Sequence, residues 1–120
     1  MVDQEARDRF LLLVEEYRLA AWIGLGKLKD PASGETRRNL DLARHAIDTL
    51  GMLEQKTKGN LEVDEEKFLR QALTDLRLNY VEELRLAAEE RAAAGPPGPA
   101  AAEPAPGEGT GPAPPGGADG

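Results

Sequence analysis

The sequence has no cysteine, which excludes disulfides, thiolate zinc sites and thiol nucleophiles together. Aromatic residues are few, with two Phe, two Tyr and one Trp in 120 residues, and none is interleaved with the basic residues from Arg37 to Lys58 as base stacking requires. Long hydrophobic runs are also missing. The longest, Leu19 to Leu25, is far short of the roughly 20 residues that a membrane helix needs. Positive charge is the minority sign: 15 basic residues face 22 acidic ones, for a net charge of −7. Such an excess disfavours nonspecific attraction to nucleic acid or anionic lipid. The one serine, Ser33, has no identifiable base near it, so hydrolase chemistry has nothing to rest on. The residues from Met1 to Arg9 are acidic and polar, unlike a secretory leader, and predict a cytoplasmic protein.

What is present falls into two regions. From Gly95 to Gly120 the chain is almost entirely Gly, Pro, Ala and Glu. No large apolar side chain there offsets the entropy of ordering, so 95–120 is expected to be a disordered tail. Residues 1–94 carry helical periodicity in three segments, about 4–26, 39–58 and 63–91, and predict an all-α domain: a helical hairpin followed by a long C-terminal helix.

The first segment places Phe10, Leu13, Val14, Tyr17, Ala20, Ala21, Gly24 and Leu28 on one face. Leu11, Leu12, Leu19, Trp22 and Ile23 widen the apolar surface beyond what one neighbouring helix covers. A second contact surface is implied, with Tyr17, Trp22 and Ile23 as candidate interaction residues. Gly26 is a natural left-handed terminator, and Asp30, Pro31, Ser33 and Gly34 read as a turn.

Asn39 is a plausible N-cap for the second helix. Its stripe is Leu40, Ala43, Ile47, Leu50 and Leu53; Gly59 closes it, and Asn60 completes the turn. The third helix starts between Glu62 and Asp64 and carries Leu69, Leu73, Leu76, Tyr80 and Leu84 toward the core. Beyond Glu90, where large apolar groups run out, it is expected to fray.

Three patterns invite chemistry, and each has a plainer reading. Gly24, Gly26 and Lys27 lack the strand and the spacing of a phosphate loop. His45 with Asp41 and Asp48 has the spacing of a weak metal site, but a solvated charge ladder is the commoner meaning. Arg37, Arg38, Arg44, Lys56 and Lys58 belong to the second helix or its edges, yet Arg37, Arg44 and the lysines do not all share one face. No catalytic, cofactor-binding or metal-binding set emerges.

The run Leu25, Gly26, Asp30, Pro31, then Leu40, Asp41, Leu42, Ala43, Ile47, Asp48 and Leu50, then Glu54, Lys56, Thr57, Lys58, Gly59, Asn60 and Leu61, and finally Leu76, Arg77 and Tyr80 resembles the bacterial family called domain of unknown function 1844. The resemblance spans roughly Phe10 to Leu84 and is most specific from Ile47 to Leu61. It implies a cytoplasmic helical protein of no established activity. Taken with the helical faces, it singles out Asp48 and Arg77 as a structural ion pair between the second and third helices. The expectation for function is a non-enzymatic interaction module that either forms a homo-oligomer, a dimer first of all, or binds an unidentified protein. The alternative is an accessory factor that touches RNA or the ribosome through the basic residues of the second helix.

Overall fold

The structure, a computed structural model, describes residues 3–95. Three α-helices follow in order: α1 Asp3–Gly24, α2 Leu40–Lys56 and α3 Val63–Ala94. Among the described residues there is no strand, so the class is all-α as expected. The anticipated tail lies, from residue 96 onward, outside the described residues. The chain divides into two units, Met1–Leu86 and Ala87–Gly120. In the second, the described residues continue α3 to Ala94, and Gly95 follows with φ +82°. The alanine-rich stretch therefore does not fray after Glu90; its high helix propensity carries it to the glycine.

Each helix end has a local cause. The Lys27 N–H donates to the Trp22 carbonyl at 2.9 Å and the Gly26 N–H to the Ile23 carbonyl at 3.0 Å. With Gly26 at φ +78°, this is a Schellman closure, and it stops α1 at Gly24, two residues before the expected end. Asn39 caps α2, its side chain accepting from the Leu42 N–H at 3.2 Å. The N-terminus of α3 uses a different device. Glu65, three residues into the helix and buried, reaches back so that Oε1 accepts the Glu62 N–H at 2.7 Å. This is the carboxylate half of a capping box, without the Ser or Thr half.

Two ion pairs fix the sense of the outer helices. Arg7 meets Asp64 at 3.0 Å, and Lys27 meets Glu83 at 3.1 Å, so rising numbers in α1 face rising numbers in α3. Within Met1–Leu86 these two helices run parallel, and α2 packs against α1. The core joins Val14, Ala21 and Leu25 to Ala43, Ala46, Ile47 and Leu50 and to Leu69, Leu73 and Leu76. Each fully buried leucine contributes about 1.5–3 kcal/mol relative to exposure. Tyr17, Trp22, Leu61 and Tyr80 are partly buried against it.

Three predicted core positions differ. Leu13 is exposed, and Leu28 lies beyond the end of α1, also exposed. Leu84 is 45% exposed, while its neighbour Glu83 is 4% exposed. For α3 the reason is the helical pitch. Two steps of four from Leu76 carry a side chain about 80° off the stripe, whereas seven residues stay within about 20° of it.

Candidate interaction surface

The outer face of α1 is built by residues that the core has no room for. Val14 and Ala21 point inward, and the side chains about half a turn away, Leu12 and Leu19, point to solvent at 58% and 39% exposure. Trp22 and Ile23 lie next to them, half-buried. Beside this strip, between α1 and α3, runs a shallow apolar groove of about 390 Å³ lined by Leu11, Leu12, Glu15, Asp64 and Phe68.

Charges border this groove, and they are matched within the chain. Arg7 pairs with Asp64. Arg18 clasps Glu15 with two parallel bonds, Nε to Oε1 at 2.7 Å and Nη2 to Oε2 at 2.8 Å. The hydrogen bonds from Arg18 hold the Glu15 carboxyl below the usual carboxylate range, against the opposing effect of its partial burial. A matched rim is the kind that a partner can cover without stranding a lone charge.

The basic residues predicted on α2 do not assemble. Arg38 Nε donates to Glu83 at 2.9 Å, Arg37 meets Glu35 at 3.5 Å, and Arg44 meets Asp48 at 3.7 Å. Lys56 ends α2 and Lys58 follows it, while Arg37 and Arg38 precede its start at Leu40, so the length of the helix, about 24 Å by its rise, separates the two groups. The expected link between Asp48 and Arg77 is also corrected. Asp48 is exposed and pairs with Arg44 one turn back on its own helix, and Arg77 lies over Gly51, where its guanidinium comes within 3.0 Å of a Cβ built there. Asp48 thus finds its partner on its own helix, while Arg77 reaches across to α2 one turn away from Asp48.

His45 is exposed, and among the described residues no group of three His, Asp or Glu is placed to hold a metal ion. No described helix is long and apolar enough to cross a membrane. Gly59, at φ +86°, lies three residues beyond the end of α2 and turns the chain so that Leu61 packs against the core. With Glu54, Lys58, Glu66 and Arg70 it lines a mixed-charge cavity of about 450 Å³ at the α2–α3 corner. In the turn itself, the Asn60 N–H donates to the Thr57 carbonyl at 2.8 Å.

Sequence reasoning missed Glu83. It receives Arg38 on one oxygen and Lys27 on the other. The available signal was its seven-residue step from Leu76, hidden by the more apolar Leu84 next to it.

The family model described as Domain of unknown function (DUF1844) matches residues 8–82. The chain belongs to the DUF1844 family. The match spans most of α1, all of α2 and the first two thirds of α3, ending one residue before Glu83. No curated protein and no solved structure matches the DUF1844 chain.

Proposed function

We propose that this DUF1844 domain is a non-enzymatic interaction module that pairs with a second copy of itself through the outer strip of α1. The observation that carries the reading is the exposure of Leu12 and Leu19 on one face with Trp22 and Ile23, beside an apolar groove. Contiguous apolar surface of this kind marks docking sites in small soluble domains. The paired charges around it support the reading, because Arg7, Asp64, Glu15 and Arg18 enter an interface already neutralised.

A second copy fits better than an extended segment. Leucines one heptad apart on a straight helix match the knobs and holes of another helix, and α1 supplies that helix to its twin in a closed two-fold pair. The RNA reading has less support, since Arg37, Arg38 and Arg44 each face a carboxylate. Light scattering on the full chain at micromolar concentration tests the proposal. It predicts a dimer mass that falls on dilution, and a strict monomer at every concentration contradicts it.

A further inference from the structure

The connection between α1 and α2 is a compact loop whose two ends meet. A Cβ on Gly26 would lie 3.4 Å from the Arg38 nitrogen, and the Asn39 N–H donates to the Gly24 carbonyl at 2.7 Å. Between these ends the loop is bonded to itself. The Asp30 N–H donates to the Glu35 carbonyl at 2.8 Å, the Gly34 N–H to the Asp30 carbonyl at 2.7 Å, and the Ala32 N–H to Asp30 Oδ1 at 2.9 Å. Residues 31–37 are exposed throughout. A loop of this length with close ends and internal bonding is a compact unit.

Two of its side-chain ties to α3 meet on one group. Lys27, at the loop's start, and Arg38, at its end, both bind Glu83, whose side chain is 5% exposed. We propose that residues 27–38 form a strap over the end of the bundle, and that the Glu83 carboxylate is its latch. With Glu83 charged, both ends are clamped to α3. When the carboxylate or its cations are replaced by neutral side chains, the strap swings on Gly26 and Asn39 as a unit while the three helices stay packed. The helices have their own apolar core from Val14 to Leu76, and no strap residue belongs to it.

Hydrogen exchange on the full chain tests this. In Glu83→Gln, which keeps the shape and removes the charge, the Lys27 and Asn39 amides, whose bonds to the Trp22 and Gly24 carbonyls join the strap's ends to α1, should exchange at least about tenfold faster, the factor that about 1.4 kcal/mol of lost closure gives when exchange follows the opening equilibrium, while the Asp30 and Gly34 amides, bonded inside the strap, keep their rates. Amides in the centres of α2 and α3, at Leu50 and Leu73, should keep their rates. Lys27→Met, at a side chain 45% exposed, leaves Arg38 on the latch and should give a smaller change confined to the same amides; it also serves as the readout should Glu83→Gln not fold. Faster exchange spread evenly over all three helices, in either variant, overturns the proposal by making Glu83 a support of the whole core. Unchanged exchange at the Lys27 and Asn39 amides in a folded Glu83→Gln, or at Asn39 in Lys27→Met where that variant must serve, overturns it as well.

Discussion

Gly24 in α1 packs directly on Ala43 in α2: a Cβ placed on the glycine would stand 2.6 Å from the Ala43 nitrogen and 2.9 Å from the Asn39 carbonyl oxygen. Both obstacles are backbone and do not give way. Gly51, in the middle of α2, presents the opposite case, because its Cβ would meet only the far end of the Arg77 side chain at 3.0 Å. Gly24→Ala should therefore destabilise the domain by about 1–3 kcal/mol through overpacking. Gly51→Ala should stabilise it by about 0.5–1 kcal/mol, by relieving the entropic cost of a mid-helix glycine. Urea unfolding of the two variants gives the signs, and equal signs would contradict this view of the α1–α2 contact.

The start of α3 depends on Glu65. Its carboxylate satisfies the Glu62 N–H, a donor with no partner inside the helix. Glu65→Ala should cost about 1 kcal/mol, and Glu65→Gln should cost much less, because an amide oxygen accepts the same bond. The local reporter is the Glu62 amide. It should lose exchange protection in the alanine variant and keep most of it in the glutamine variant.

A pH effect follows from the clasp of Arg18 on Glu15. The folded carboxyl titrates below its ordinary range because Arg18 donates to the charged form. A carboxylate lowered in this way adds stability above its unfolded value, and that contribution is lost as pH falls through the lower folded value. Arg18→Met should raise the Glu15 midpoint toward the ordinary range in an NMR titration. The stability difference between wild type and variant should shrink as the solution is acidified. A Glu15 midpoint that the substitution does not move would remove the basis for this prediction.

The helices were legible because their stripes repeat at three and four residues and their ends carry Gly26, Asn39 and Gly59. The wide apolar surface of α1 was also legible as surplus: Leu12 and Leu19 had no place in a stripe that already held Val14 and Ala21. Partnerships between charges were not. Arg38 looked like part of a basic patch, since nothing in the local sequence says that a glutamate 45 positions later turns inward to meet it. Asp48 and Arg77 looked like a bridge, but Asp48 pairs with Arg44 one turn back on its own helix, and Arg77 lies over Gly51 instead. The pairing of ions depends on the angle of each residue around its helix, and a rule of three-and-four steps fixes that angle only loosely.

In the proposed pairing, the outer strip of α1 joins two copies. The most direct test of this is sedimentation equilibrium on the wild-type chain and on Leu12→Glu/Leu19→Glu, both sites exposed enough to accept a carboxylate without disturbing the core. The wild type should approach twice 12.9 kDa as its concentration rises, and the double variant should remain a monomer with unchanged helical circular dichroism. A double variant that still dimerises, or a wild type that never does, contradicts the claim.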